Sequence, residues 1–285
     1  MALALPFKGE TTCSVCERWA YYRVDGSVRC GYHSDKKTRK SLKRNPRKDE
    51  LLKAKGVKHL KTCVAGKKPG KVELHRLRGL YAKNPFRDGY ITVFPNFGNK
   101  SGKKRVDGAL SMGDLSPKTI GPVEHGQPGL PVAQNIENFH QGSKRFPDQT
   151  EEQFVETRLE MYKDPVPHRH NPFAKRVPGK NRNIPRYFAW VDKSGKEHQL
   201  SYVQSRQFYC HFLERAVKET KDFKELQDRL ANGYNLLLCG WDAEPMKRSA
   251  EEEYLNPETP FGHERVLYCM LKEEYPWRKH KSFEY

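Results

Sequence analysis

The sequence contains no run of about 18 consecutive apolar residues, which is the length a helix needs to cross a membrane. Its opening residues also lack the charged n-region of a secretory signal peptide. We therefore expect neither a membrane partner nor secretion. Hydrophobic residues make up 36% of the chain and charged residues 31%, so its 285 residues predict one large or two small domains with a modest core.

Cysteine is also scarce. The chain has seven cysteines, an odd number, and apart from Cys13 and Cys16 they are widely separated. This pattern argues against a disulfide framework and favours a reducing compartment. We expect an intracellular protein of the host cytoplasm or nucleus, or of a virion if the chain is viral. Cys210, Cys239 and Cys269 lie in apolar segments and are expected to be core residues.

Acidic residues are few in the first third of the chain. Residues 1–105 hold 27 Lys and Arg against 8 Asp and Glu, a net charge of +19. Residues 106–285 hold the other 26 basic and 27 acidic residues, a net charge of −1. A basic segment joined to a neutral body predicts an extension that faces nucleic acid or another polyanion.

Two pairs of metal-ligand residues lie near the start of the chain, Cys13 with Cys16 and Cys30 with His33. Tetrahedral Zn²⁺ takes four such ligands, and two closely spaced pairs supply two each. Asp25-Gly26, between the pairs, is a turn signal for a β-hairpin. We predict a zinc finger whose Zn²⁺ is structural, because four protein ligands leave no open position for chemistry.

A strongly basic stretch follows the predicted zinc finger. Eight of the fifteen residues from 34 to 48 are Lys or Arg. Such a run neutralises several phosphates and binds polyanions without base preference; the alternative is a solubilising linker. The residues predicted to bind nucleic acid are Lys36, Lys37, Arg39, Lys40, Lys43, Arg44, Arg47 and Lys48.

The segment from Asn135 to Lys144 predicts a short helix with a polar face. Asn135 is a suitable N-cap, and apolar residues spaced three apart follow it. On this helix Glu137, Gln141 and Lys144 are spaced i, i+4 and i+7 and share one face. An acid, an amide and an amine together can line a polar pocket; the alternative is a solvated helix face.

Apolar patterns predict the elements around this helix. Residues 150–153 match a helix capping box, and residues 187–202 predict a hairpin that turns at 192–195. The other predicted elements are strands at 90–94 and 234–239, helices at 203–221 and 222–230, the second capped by Asp222, a polar excursion at 244–258 and a last helix that opens at Thr259-Pro260.

Several of these segments, in this order, resemble motifs of the NADAR superfamily. Leu115 to Val123 is similar to its Leu-Ser-Asn-Phe segment, and Ile136 to Lys144 is similar to its Glu-His-x-Phe-Gln-x-x-Lys helix. Tyr202-x3-Arg206, with the helices that follow, is similar to its Trp-x3-Arg helix pair. Cys239 to Asp242 and Phe261 to Leu271 resemble its terminal Trp-Gly-x-Gly and Leu-Gly-x-x-Leu-Met region.

The resemblance covers about residues 90–275. It implies an α+β fold, a mostly helical domain with a small sheet over residues 86–285. A basic linker at 36–85 and a zinc finger at 1–35 precede it, a combination loosely associated with proteins of large DNA viruses.

The chain departs from the family pattern at three places. Tyr202 stands where the family has Trp, so the aromatic platform is smaller. Pro117 stands where the family has Asn, and residues 244–258 separate two halves of the last motif. Each departure implies either a different substrate or a site kept for binding alone.

The superfamily acts on N-glycosidic bonds of NAD-related, ADP-ribose-related or riboflavin-pathway compounds. Cleavage of a ribosyl C–N bond develops an oxocarbenium ion, which a fixed carboxylate stabilises. The resemblance implies Glu137 for this role, with Asp242 or Glu264 as a second acid. The implied substrate-binding residues are aromatic platforms and polar or cationic groups, namely Tyr202, Trp190, Trp241, Gln141, Lys144 and Arg206.

Two functions stay open from the sequence. One is hydrolysis of a ribosyl N-glycosidic bond in an NAD-related, ADP-ribose-like or nucleotide substrate. The other is a non-enzymatic zinc-finger protein that binds nucleic acid or belongs to a large assembly such as a virion. The basic first third suits both functions, and the convergence of Glu137, Tyr202 and Asp242 on one pocket would distinguish them.

Overall fold

The structure is a computed structural model that describes residues 63–77, 85–96, 108–174 and 184–281, together with the backbone of five short strands before residue 30. The side chains of the predicted zinc ligands lie outside the described residues. So does the basic stretch at 36–48.

Short antiparallel strands make up the described part of the first thirty residues. They are β1 Leu3–Ala4, β2 Thr12–Cys13, β3 Cys16–Trp19, β4 Tyr22–Val24 and β5 Ser27–Arg29. β4 and β5 flank Asp25-Gly26 and pair antiparallel, as the turn signal predicts, and β1 pairs with β4. β2 and β3 form a second pair, in which Cys13 and Cys16 are partners.

Helices and strands are mixed in the described part of the body. The strands are β6 Val72–Arg76, β7 Tyr90–Phe94, β8 Leu110–Ser111, β9 Lys144–Arg145, β10 Tyr187–Val191, β11 Glu197–Leu200 and β12 Asn235–Gly240. The helices are α1 Ile136–Gly142, α2 Glu151–Lys163, α3 Tyr202–Val217, α4 Lys221–Ala231, α5 Ala250–Leu255, α6 His263–Leu271 and α7 Pro276–Lys279. None of the helices in these described ranges is long and apolar enough to cross a membrane.

The central sheet is parallel, with the strand order β6-β12-β7-β8. β12 is an uninterrupted apolar strand, buried from Leu236 to Gly240, as interior strands of parallel sheets are. The predicted mixture of helices and sheet is confirmed, as are the strands predicted at 90–94 and 234–239. β6 lies within the segment predicted as a linker, and it pairs along its whole length with β12, so this part of the segment belongs to the body.

The second sheet is antiparallel and has the order β11-β10-β9. Its hairpin turns where the sequence predicts. The Asp192 carboxylate accepts hydrogen bonds from the backbone N–H of Ser194 and Lys196, and Gly195 has a φ of 86°, a value that favours glycine. β9 pairs with β10, so the strand that follows α1 is fixed to this hairpin.

Helix caps decide where the helices begin. Asn135 caps α1 by accepting from the Asn138 N–H at 2.8 Å, and Thr150 forms the predicted capping box of α2 with Gln153. The predicted cap of α4 is wrong. Thr220, rather than Asp222, accepts from the N–H of Phe223, because a hydroxyl was available two residues earlier.

The region before α6 also differs from the prediction. The predicted polar excursion contains α5, which Ser249 begins with a capping box to Glu252. The last long helix begins at His263 rather than at Thr259-Pro260. The Arg206 side chain, from α3, donates to the carbonyl groups of Asn256 and Thr259, so this part of the segment does not join the helix.

The core between α1, α3 and the hairpin is aromatic. Trp190 is 2% exposed and stacks on Phe208 with ring centroids 5.0 Å apart, and Phe139 packs edge-on against Phe212. Trp190 is therefore a core residue, and its predicted use as a substrate platform is wrong. The three cysteines expected in the core are buried, namely Cys210, Cys239 and Cys269.

Arg206 binds the segment between α5 and α6. Its side chain is 3% exposed, and its guanidinium donates to the backbone carbonyls of Glu253, Tyr254, Asn256 and Thr259. A guanidinium buried among carbonyls is not available to a substrate phosphate. The predicted direct contact between Arg206 and substrate is therefore wrong, and the residue fixes this segment instead.

We predict that Arg206→Met lowers the free energy of unfolding by about 3 kcal/mol, because buried carbonyl groups lose their donor. Urea denaturation followed by circular dichroism measures the change. Arg215→Met, at an exposed position of the same helix, is the matched control and is expected to change stability by less than about 0.5 kcal/mol. Equal stability of the two variants contradicts the structural role of Arg206.

Candidate functional site

The candidate site lies at the carboxyl edge of the parallel sheet. Because β6, β7 and β12 run in the same direction, the residues that follow them meet at one edge. Arg76 ends β6, Asn96 lies two residues beyond β7, and Asp242 lies two residues beyond β12. Open parallel sheets bind their ligands at this edge.

Glu264 is the most buried acid at this edge. It lies in the first turn of α6 and is 2% exposed. The Asn96 amide donates to Oε1 at 3.3 Å, and Nδ1 of His263 lies 3.0 Å from Oε2. The hydroxyl of Ser116 donates to the Asn96 carbonyl oxygen at 2.8 Å and so orients the amide. A second layer of hydrogen bonds therefore fixes this carboxylate.

Gly240 makes room for this carboxylate. A Cβ atom at Gly240 would lie 1.7 Å from Oε1 of Glu264, a distance that no structure tolerates. The last residue of β12 must therefore be glycine for Glu264 to sit against the strand. Gly262 is less constrained, because a Cβ atom there would lie 3.4 Å from its nearest neighbour, Cβ of Asp242.

Glu137 lies on α1 and carries the polar row that the sequence predicts. The Gln141 amide donates to Oε1 of Glu137 at 3.0 Å, and Nζ of Lys144 donates to Oε1 of Gln141 at 2.9 Å. α1 ends at Gly142, so Lys144 reaches this row from β9 rather than from the helix. The backbone N–H of Glu137 donates to the carbonyl of Pro117 at 2.9 Å, which joins two of the resembled motifs.

The loop after α2 is bound onto α1. The Asn138 amide donates to the carbonyls of Asp164 and Val166 at 2.8 and 2.9 Å, and the Asn171 amide donates to the carbonyl of Gln141 at 3.0 Å. This loop brings Arg169 close enough to Asp242 for its charge to lower the pKa of that carboxyl. The loop therefore adds a cation to the edge of the site.

The charges of three carboxylates affect Tyr209, which is half-buried on α3. Burial raises the pKa of Tyr209 well above its usual value, and the charges of Glu137, Glu264 and Asp242 raise it further. The ring of Tyr209 lies 4.9 Å from that of His140, which follows Glu137 by three residues on α1 and so lies next to it. Asp242 and Glu264 lie together beside Gly262.

Asp242 differs from the other acids of the site. Burial of the carboxyl raises its pKa, although the side chain reaches the surface, and the charge of Glu264 raises it further. The charges of His263, Arg76 and Arg169 oppose this rise. Asp242 is thus more readily protonated than an ordinary aspartate.

A row of rings leads from the surface to Tyr209. Tyr202 is 39% exposed, its ring lies 4.5 Å from the Arg206 guanidinium, and its centroid is 6.2 Å from that of Phe188. Phe188 contacts His140 at 5.5 Å, and His140 contacts Tyr209 at 4.9 Å. Burial lowers the pKa of His140 well below its usual value, so the ring is neutral near pH 7.

The structure brings together most of the residues implied for the site. Tyr202 marks one end of the aromatic row, and Trp241, 55% exposed, adjoins Asp242. Asn96, Arg76, Arg169 and Tyr209 were missed by sequence reasoning. For Tyr209 a signal existed, because it lies seven residues after Tyr202 and so shares its face of α3. For the other three the sequence offers no local signal.

The acids of the site do not form a metal centre. Within the described ranges, no group of three or more His, Cys, Asp or Glu side chains is arranged to hold a metal ion. Comparison of the chain with protein-family models, with curated proteins and with solved structures finds no match. The resemblance to the NADAR superfamily stays a prediction, and the functional argument depends on the geometry.

We predict that Gly240→Ala lowers the free energy of unfolding by about 1–3 kcal/mol, because the new methyl group displaces the buried Glu264 carboxylate. Thermal and urea denaturation measure the loss. Gly262→Ala is the matched control, since its methyl group meets only ordinary contacts; it is expected to cost less than Gly240→Ala, about 1 kcal/mol or less, because Gly262 caps α6. If both variants are as stable as the unchanged protein, Glu264 does not depend on Gly240.

Proposed function

We propose that this protein hydrolyses a ribosyl N-glycosidic bond in an NAD-related, ADP-ribose-like or nucleotide substrate. The observation that supports the proposal best is the placement of Asp242 and Glu264 side by side at the carboxyl edge of a parallel sheet, with the helix of Glu137 packed against Tyr209 through His140. Acids grouped beside exposed aromatic rings suit a sugar that develops positive charge next to a planar base.

The reaction replaces the C1′–N bond with a C1′–O bond from water. As the C–N bond breaks, its electron pair leaves with the base and C1′ gains positive charge. Glu137 stabilises this charge and accepts the proton of the attacking water. Gln141 holds the Glu137 carboxylate at 3.0 Å, and Lys144 in turn holds Gln141, so the acid is oriented before substrate arrives.

Asp242 is the better general acid of the set. Its raised pKa increases the protonated fraction near neutral pH, and it reaches the surface where a departing base would lie. Glu264, which Asn96 and His263 contact, lies beside it. The base leaves with the proton that Asp242 supplies. The proton on Glu137 then returns to Asp242 through solvent, which restores the starting charge of both acids.

Rings and cations around the acids suit the rest of such a substrate. Tyr202 and Trp241 are exposed aromatic residues on which a base can stack. Arg76 and Arg169 lie close enough to Asp242 to affect its pKa, and they take the phosphate role that Arg206 cannot. Arg76 also pairs with Glu244 at 2.9 Å, which holds its side chain at the edge of the sheet.

A structural zinc finger is our second proposal, for the first part of the chain. Its support is the pairing of Cys13 with Cys16 across the β2–β3 hairpin, which brings the backbones of two predicted ligands side by side. With Cys30 and His33 these residues make a complete ligand set. The finger and the basic stretch at 36–48 then deliver the protein to a nucleic acid or another polyanion.

Zinc removal tests the second proposal. We predict one zinc per chain by mass spectrometry of the native protein, and loss of structure confined to residues 10–40 when a chelator removes the metal, because finger folding depends on the ion. Hydrogen exchange resolves the two regions. The variant Cys16→Ser should lose zinc while the Cys63→Ser control keeps it; protein that is purified without zinc and is unchanged by chelator contradicts the proposal.

For the proposed reaction, we predict that Glu137→Gln lowers kcat by about 10²–10³ with little change in KM, because the charge acts mainly in the transition state. The glutamine keeps the oxygen that Gln141 binds, so unfolding midpoints should stay the same. Glu156→Gln, on the exposed face of α2, is the matched control and should leave kcat and KM unchanged. Full activity in Glu137→Gln would exclude Glu137 from the chemistry.

A companion variant separates the two acids. Asp242→Asn cannot protonate a leaving base, so it should slow cleavage of AMP strongly. It should slow cleavage of NAD much less, because nicotinamide leaves as a neutral molecule without a proton. With AMP, the unchanged protein should lose activity as pH rises through the raised pKa of Asp242. The activity of the variant should not show this decrease. Equal losses on both substrates would remove Asp242 from the acid role.

A further inference from the structure

The hydroxyl group of Tyr209 makes no hydrogen bond with the described residues. The residue lies on α3 with its ring 4.9 Å from that of His140, and its side chain is half-buried. Buried or half-buried tyrosines usually pair their hydroxyl, as Tyr162 does here with Ser143 at 2.9 Å. An unused donor at the centre of the site therefore calls for a ligand.

The charges around Tyr209 fix what its hydroxyl can do. Burial and the neighbouring carboxylates keep its pKa well above the usual value, so the group stays protonated and neutral. Its ring neighbour His140 is neutral as well. Lys144 is bound to Gln141, and the charges of Arg76 and Arg169 act on Asp242. Tyr209 is therefore a neutral donor, and its ring contact with His140 places it beside the Glu137 face of α1, where the carboxylate is an acceptor.

A ligand group that fits this arrangement must both donate and accept hydrogen bonds. A sugar hydroxyl does so, because its hydrogen goes to a carboxylate while its oxygen accepts from a phenol. A metal ion is not favoured, since the described residues contain no set of three converging ligands. A sugar hydroxyl, as on ribose, can therefore join the Tyr209 phenol to the Glu137 carboxylate, which lies one turn before His140 on α1.

The geometry points to Tyr209 as the residue that recognises the sugar. Its hydroxyl donates a hydrogen bond to the 2′-hydroxyl of the bound ribosyl group, and that hydroxyl donates to Glu137. The substrate class is thus ribosyl rather than 2′-deoxyribosyl. This inference rests on the proposed function for the identity of the sugar, and Tyr209 acts by binding substrate rather than by transferring a proton.

Tyr209→Phe tests the inference, because it removes the hydroxyl and keeps the ring that packs on His140. Two pairs of probes are used, AMP with dAMP, and NAD with its analogue that lacks the 2′-hydroxyl of the nicotinamide ribose. The variant should lower kcat/KM roughly fivefold to tenfold on the ribosyl member of each pair. It should change the deoxy member less than about twofold, since the partner hydroxyl is already missing.

The comparison within each pair cancels the different intrinsic reactivity of the two C–N bonds. Tyr234→Phe is the matched control, a half-buried tyrosine at the opposite, amino end of β12, and it should be silent on all four probes. Tyr209→Phe should unfold at the same temperature as the unchanged protein, because no hydrogen bond within the fold is lost. Equal losses on the ribosyl and deoxy probes, or no loss on either, overturn the inference.

Binding separates this inference from the proposed function. If the unchanged protein cleaves none of the four probes, the proposed hydrolysis fails. Calorimetric titration with the same pairs then decides the role of Tyr209. Tighter binding of the ribosyl members that disappears in Tyr209→Phe supports it, and equal or absent binding of the two members overturns it.

Discussion

The contact between the Glu264 carboxylate and the backbone of Gly240 is the constraint on which the site depends. It brings a helix start against the end of the central strand, and Asn96 fixes the carboxylate from the neighbouring strand. Burial of an acid is costly unless its oxygens are hydrogen-bonded. The parallel sheet thus carries a buried acid that packing alone does not require, which is the usual condition of a functional site.

The same contact explains the electrostatics of the site. Glu264 cannot move away from Asp242, so the pKa of Asp242 is raised by burial and by this neighbour. Burial raises the pKa of Tyr209 well above its usual value, and the charges of Glu137, Glu264 and Asp242 raise it further, so Tyr209 stays protonated. The raised pKa of Asp242 and the neutral state of Tyr209 therefore follow from the packing of two strands with α3 and α6, rather than from any single motif.

Local signals in the sequence predict much of this structure. The Asn135 cap, the hairpin turn at Asp192 and the polar row from Glu137 depend on neighbouring residues, so they can be predicted from the sequence. The place of β6 in the sheet cannot be predicted in this way, because its partner β12 lies about 160 residues away and nothing local marks a parallel pair. For the same reason Asn96 reads as an ordinary loop residue, and Arg206 reads as a surface charge until its carbonyl partners are known.

We propose above all that Glu137, Asp242 and Glu264 promote cleavage of the bond between a ribose carbon and a base nitrogen. The most direct test is incubation of the unchanged full chain with NAD, ADP-ribose and nucleotides, with free base and sugar product measured by chromatography and mass spectrometry. The account predicts equimolar base and ribose-containing product from at least one of these substrates, at a rate far above that in buffer. Absence of free base from all of them contradicts it.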